Sequence, residues 1–288
     1  MKISAIDIGS NSVRLMMWAD GKTLYKRLAT TRLGEGLQFS GRITPQAIER
    51  SANAIAQFKR EAEEWGADRL YAFATAAVRS AENKADFLAA VYKACGVQVD
   101  VVSGEDEAKL GILGALKGGD GGIIDVGGAS TEVTFQAGGK RLYSYSANIG
   151  TVRLFDKAGR DFKNLNGAIS QLVREYPPFN AKNLKTYAIG GTATTAASVK
   201  HGLKVYDPAV IDGTVLKVGE LEETAKKICD LSVEEVAQIQ GMEPRRADVI
   251  GGGLLLLAAV MRAFGVDEVT VSESDNLEGY VMLKEGLV

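Results

Sequence analysis

One segment of the chain occurs twice, and this repeat limits the fold more than any other feature. Ile6-Asp7-Ile8-Gly9-Ser10-Asn11-Ser12-Val13-Arg14-Leu15 aligns without gaps on Ile124-Asp125-Val126-Gly127-Gly128-Ala129-Ser130-Thr131-Glu132-Val133. Asp7 falls on Asp125 and Gly21-Lys22 on Gly139-Lys140, the same displacement of 118 positions. Each copy reads as strand, glycine turn, strand, glycine turn, strand. A period this long, present twice, predicts duplicated α/β domains with the ligand between them rather than a solenoid of short repeats. The break falls in Lys117-Gly118-Gly119-Asp120-Gly121-Gly122, predicting domains over 1–117 and 118–288.

Local signals fill in each half. Thr44-Pro45 supplies a cap and first turn for a helix through about Trp65; strand Arg69 to Ala74, a helix from about Asn83 to Ala94 and strand Val97 to Val102 follow. Ser103-Gly104-Glu105-Asp106 has the capping-box form and opens a helix through about Leu116. The second half predicts an irregular helical region near 164–174, strand Thr186 to Ile189, helices around 216–238 and 246–264, strand Glu268 to Val271 and a last helix, which could pack back on the first domain.

Composition removes several function classes. With 46% hydrophobic and 24% charged residues the chain can bury full cores, and a net charge of −2 gives no basic field for nucleic acid or an anionic membrane. Leu254 to Met261 is too short an apolar run to span a bilayer and predicts a buried helix. The start lacks the pattern of a secretory leader, so a cytoplasmic protein is expected. Cys95 and Cys229 are far apart and suggest neither disulfide nor zinc, and the single histidine, His201, reads as a solvated loop residue without a role. Oligomeric state is open, with room for a homodimer.

Three small-residue loops carry the chemistry. Gly9, Ser10, Asn11 and Ser12 make a tight turn whose amides and hydroxyls suit phosphate, while Asp7 could reach metal or water. Alone this would be an ordinary hairpin turn; its second copy, Gly127, Gly128, Ala129 and Ser130, argues for a site. There Asp125 and Glu132, seven positions apart, suit an oxygen-liganded Mg²⁺ beside phosphate. Gly190, Gly191 and Thr192 follow an apolar strand and could hold another phosphate at a helix start.

These loops, together with Ala74 to Arg79, Ser103 to Ala108 and Gly150 to Leu154, make the sequence resemble the exopolyphosphatase/guanosine pentaphosphatase family over almost its whole length. The resemblance implies duplicated actin/hexokinase-like (ribonuclease H-like) α/β domains with an active-site cleft between them. It also implies Mg²⁺-assisted hydrolytic removal of the terminal phosphate of inorganic polyphosphate, or of the 5′ γ-phosphate of guanosine pentaphosphate. By position Glu107 matches the family's catalytic base, in a helix first turn whose dipole should favour the ionised form. Gly111 and Gly114 share its helix face and would let another segment pack close behind. Arg79 is assigned to phosphate, for which a guanidinium fork suits; Arg153 is a secondary candidate that an ion pair between elements would explain as well.

The chain departs from the family pattern at three places. Ala129 stands where glycine is usual, Asp212-Gly213 replaces a His-Gly pair, and Asp275-Asn276-Leu277-Glu278-Gly279 lacks the arginine of the C-terminal segment. Ala129 would be strained in a left-handed conformation and unstrained in an αR or β one. The chain reads as a short form without the C-terminal domain of longer relatives, so short polyphosphate is the favoured substrate. A sugar or acetate kinase of the same superfold should carry a larger insertion; a low-turnover polyphosphate- or nucleotide-binding regulator is the rival of another class.

Overall fold

A computed structural model describes residues 1–287; Val288, the end of the second expected domain, lies outside the described residues. The repeat becomes two triple-stranded antiparallel meanders. In the first, β1 (Lys2–Ile8), β2 (Ser12–Ala19) and β3 (Lys22–Thr30) are extended by parallel β4 (Arg69–Ala74) and β5 (Asp100–Val101), in the order β3-β2-β1-β4-β5. In the second, β6 (Gly121–Val126), β7 (Thr131–Ala137) and β8 (Lys140–Ala147) are extended by β9 (Thr186–Ile189) and then by β10 (Val215–Lys217) and β11 (Glu268–Val271). The order β8-β7-β6-β9-β11-β10 repeats the first sheet and adds β10 as an antiparallel edge. The duplicated actin/hexokinase-like α/β architecture is therefore present.

The repeated turns match in detail. Gly9 N donates to Ser12 O and Gly127 N to Ser130 O, both at 3.0 Å. A Cβ on either glycine would lie 3.1 Å from that same carbonyl, so the tight turn favours glycine at both positions.

Local differences from expectation have local causes. The strand expected from Val97 shrinks to Asp100–Val101, which pairs with Phe73 and Ala74 of β4. The helix expected over 216–238 is split: Val215–Lys217 pairs with β11, Val218–Asp230 is helical, and Ser232 and Glu235 form a reciprocal capping box that starts Val233–Ala237. Helices Phe162–Leu172 and Ile250–Ala263 replace those expected near 164–174 and 246–264, and the second buries the apolar run. His201 is the last residue of helix Gly190–His201 rather than a loop residue, with Nε2 2.9 Å from Thr214 Oγ1. No helix among the described residues is long and apolar enough to cross a membrane.

The last helix, Asn276–Lys284, lies against the first sheet. Leu277, Tyr280 and Val281 share a buried cluster with Ile3, Ala5, Met16 and Phe73, and the Tyr280 ring stacks on Phe73 at 4.4 Å. It crosses helix Gly104–Leu116 so closely that a Cβ on Gly279 would overlap the Leu110 carbonyl, and one on Gly114 the Asp275 carbonyl. Gly111 faces Asn276 at the same crossing. A chain segment thus packs directly behind Glu107, at the two glycines that share its face.

Candidate active site

The two repeated turns meet. A Cβ on Gly128 would lie 2.9 Å from Ser10 Cβ and 3.2 Å from Asn11 N, and the cleft between them, of about 80 Å³, is also lined by Asp7, Glu107, Asp125, Gly190 and Asn276. Backbone wiring sets the direction of the turn amides. Gly127 O accepts from Thr151 N and Gly128 O from Val152 N, which draws both carbonyls toward helix Thr151–Ala158. Across a trans peptide the next N–H points the opposite way, so the Gly128 and Ala129 amides face away from that helix. In the first turn, Ser10 O accepts from Gly34 N and Asn11 O from Thr31 N and Arg32 N, which orients the Asn11 and Ser12 amides likewise. Ala129 is absent from the residues with positive φ, so its methyl is accommodated without strain. Asp212 has a structural task, its Oδ1 accepting from Glu273 N at 3.0 Å.

Turn spacing places Asp7 opposite Arg14 across β1 and β2, and Asp125 opposite Glu132 across β6 and β7. The first is an ion pair, made by Arg14 Nε at 3.1 Å and by its terminal nitrogen on Asp7 Oδ2. The second sets two acids face to face, which is destabilising unless a proton or cation intervenes. Burial, reinforced by Glu107, drives the Asp125 carboxyl up to about 8. Burial also raises Glu132 well above the usual range, against the Ser146 hydroxyl that donates to its Oε1 at 2.6 Å. Asp7 is raised by burial and held back by Arg14.

Glu107 sits in the first turn of helix Gly104–Leu116. Ser103 Oγ accepts from Asp106 N at 3.0 Å; in place of the full reciprocal box, the Asp106 carboxylate takes the Ser103 hydroxyl. The expectation that the helix dipole keeps Glu107 readily ionised is outweighed by burial, which raises it to about 6 although the Arg79 guanidinium opposes the shift. That value suits a general base near neutrality.

Other expected residues take different places. Arg79 lies in the short helix Ala76–Ser80, and its Nη1 is bound to Glu107 Oε2 at 2.9 Å and Val102 O at 3.0 Å, so in this state it tethers the acid rather than facing the cleft. Thr192 spends its hydroxyl on Val126 O at 2.8 Å and is buried below the cleft. Gly190, at φ +79°, leaves room for the Asp125 carboxylate, whose Oδ1 would lie 2.5 Å from a Cβ there, and Gly191 leaves room for the Arg246 guanidinium. These two glycines are thus required by side-chain approach as well as by the helix start. Arg153 bridges the halves, Nη2 donating to Ser80 Oγ at 3.1 Å.

Four functional candidates escaped the sequence reading: Arg14, Arg246, Asp275 and Asn276. Arg246 is half-buried, makes no ion pair among the described residues, and is pulled down to about 10 by desolvation and by Arg14. It joins the cleft to a cavity of about 690 Å³ that also reaches Lys26, Lys204, Tyr206, Gln238, Gln240 and Met242. The one sequence signal was the repeat itself, which aligns Arg14 with Glu132 and so marks it as facing an acid.

Oxygen donors suited to a hard cation are present. Asp7 Oδ1 and Glu132 Oε2 are buried without a partner, as are the Ser10 and Ser12 hydroxyls. Among the described residues no three acidic, histidine or cysteine side chains converge into a ready-made metal cage. Asp7, Asp125 and Glu132 could therefore hold a hard divalent cation only with water or another ligand filling the rest of its shell.

The Ppx/GppA phosphatase family model matches residues 17–286. Exopolyphosphatase 2 of Mycobacterium tuberculosis is 30% identical over 99% of this chain and 99% of its own length. The bifunctional 3-dehydroquinate synthase/phosphatase of Fusobacterium nucleatum is 29% identical over 97% of this chain, which spans only 46% of that protein. Among solved structures, an exopolyphosphatase-like protein aligns with a TM-score of 0.88 at 26% identity, covering 100% of this chain and 99% of its own. The Aquifex aeolicus Ppx/GppA family member aligns at 0.77 and 29% identity, covering 100% and 98%. The family match over residues 17–286, joined to 30% identity with an exopolyphosphatase along nearly the whole of both chains, establishes that the chain belongs to the Ppx/GppA phosphatase family.

Proposed function

We propose that this phosphoanhydride hydrolase removes the terminal phosphate of inorganic polyphosphate by direct attack of water. The observation that carries the reading is the convergence of both repeated turns on Glu107 in a cleft sized for about one phosphoryl group. The turn amides and the Ser10, Ser12 and Ser130 hydroxyls hold the terminal phosphate. Glu107, held by Arg79, orients the attacking water and takes its proton. Phosphoryl transfer needs little covalent help, so positioning and charge neutralisation supply most of the rate. Asp7, Asp125 and Glu132 would hold Mg²⁺, which when bound neutralises phosphate charge and relieves the repulsion between the facing acids.

A second reading, removal of the 5′ γ-phosphate from guanosine pentaphosphate, is favoured by the larger cavity. It adjoins the cleft through Arg14, Gly190, Gly191 and Arg246, and offers Tyr206 and Met242 beside the amides of Gln238 and Gln240. The two readings separate in a phosphate-release assay with Mg²⁺ on short polyphosphate, long polyphosphate and guanosine pentaphosphate, comparing the parent with Glu107→Gln. Release from short polyphosphate that Glu107→Gln lowers by about 10²–10⁴-fold supports the first reading. Preferred release from guanosine pentaphosphate selects the second, and binding without release in the parent selects a regulator.

A further inference from the structure

Asp7 and Asp125, strand residues from the two halves, are tied to adjacent residues at the start of a single helix. Asp275 caps the last helix with one oxygen, Oδ1 accepting from Leu277 N at 3.0 Å. Its other oxygen pairs with Arg14, and Arg14 in turn holds Asp7 Oδ2. The next residue, Asn276, donates from Nδ2 to Asp125 Oδ2 at 3.2 Å. Helix capping accounts for Asp275 Oδ1 and leaves Oδ2 unexplained. It does not account at all for the buried Asn276 amide, which lies beyond the cap.

The support for this helix end is stiff. Asp275 N donates to Glu278 Oε2 at 2.9 Å, while Glu278 takes the Thr23 hydroxyl at 2.6 Å and the Lys26 ammonium at 2.8 Å. The glycine crossing at Gly114 and Gly279 fixes the same end against the helix that carries Glu107. One helix end thus contacts Asp125 directly, Asp7 through Arg14, and the helix that carries Glu107. Asp275 also divides the charge of Arg14; without it that guanidinium would neutralise Asp7 alone.

We propose that Asp275 and Asn276 are positioning residues for phosphoryl transfer, setting Asp7 and Asp125 across the cleft through Arg14 and through a direct amide contact. The segment that lacks the family's arginine contributes here by a different route. This role rests on the hydrolase reading above.

Asp275→Asn keeps the capping oxygen and removes the charge; Asn276→Leu keeps the volume and removes the donor. Each is expected to lower kcat for phosphate release by roughly 10–100-fold, since misplacements of about 1 Å reach that size, with KM close to the parent's; Asn276→Leu should keep Tm as well, whereas Asp275→Asn should lower it, because the buried ion pair with Arg14 loses one charge. Asp275→Ala should match Asp275→Asn in kcat while lowering Tm further, because it also loses the cap on Leu277 N. Combining Asp275→Asn with Arg14→Lys should lose less than the product of the single losses, because both act on Asp7. Parent-like kcat in both single variants, or kcat that falls only where Tm falls, overturns the role while leaving the hydrolase reading intact. A parent that releases no phosphate overturns both.

Discussion

Gly150→Ala should damage the second repeated turn, which the proposed function assigns to phosphate, without straining its own backbone. Gly150 is extended, at φ −150° and ψ 176°, a conformation alanine adopts freely. The added Cβ would nevertheless lie 2.5 Å from Gly128 C and 2.6 Å from both Ala129 N and Gly127 O. Ordinary carbon-to-oxygen approach is about 3.3 Å, so the turn and the helix Thr151–Ala158 must separate by roughly 0.7 Å. These are backbone atoms and cannot swing aside. Overpacking of this kind costs about 1–3 kcal/mol, and a displacement near 1 Å in a phosphate-holding loop corresponds to up to about 10²-fold in rate. The control is Gly167→Ala, a helical glycine with open space around it, which should gain about 0.5–1 kcal/mol from helix propensity. Urea unfolding and phosphate release on both variants give the comparison. A Gly150→Ala protein as stable and as active as Gly167→Ala would refute the claim that this contact shapes the turn.

Three further outcomes are expected. Glu107 must be ionised to accept a proton, and its carboxyl is raised to about 6; kcat/KM should rise about tenfold per pH unit below that value and level off above it, and a flat profile from pH 5 to 7.5 would remove Glu107 as the base. Arg246 is a half-buried guanidinium without an ion pair among the described residues, placed where the cleft meets the larger cavity, so Arg246→Met should raise KM about tenfold with Tm close to the parent's; an unchanged KM would show that it does not meet substrate. Glu132→Gln, by removing one of two facing acids, should raise Tm in the absence of Mg²⁺ while reducing turnover, and a fall in Tm would mean that the two acids do not repel in the resting protein.

The parts of the fold legible in the sequence were those fixed by short-range chemistry. Gly9 and Gly127 announce their turns because only a few neighbouring atoms decide them, and β4, β9 and β11 fall where apolar β-rich runs are bounded by turn residues. The strand Val215–Lys217 was invisible because its partner, β11, lies far along the chain, while its own residues suit a helix start equally well. The break at Leu231 was readable in principle from Ser232 and Glu235. In the site, motif position named Asp7, Asp125 and Glu107, and the structure brings all three to one cleft. The engagement of Arg79 by Glu107 was not legible, since it depends on how two separate elements pack. Asp275 and Asn276 looked like a loss where the structure shows contacts to both aspartates, because a missing arginine is visible in one dimension and a substitute contact only in three.

The duplicated hairpins share a scaffold and differ in polarity: acid faces base in one half, and acid faces acid in the other. Such a molecule rests out of electrostatic balance on one side only. Whatever restores that balance, whether a proton or a divalent cation shared with phosphate, acts also as a folding ligand, raising stability by RT ln(1 + [L]/Kd). Thermal stability is then a direct gauge of site occupancy, and the half of the molecule built on β6 and β7 should be the half that tightens when substrate arrives.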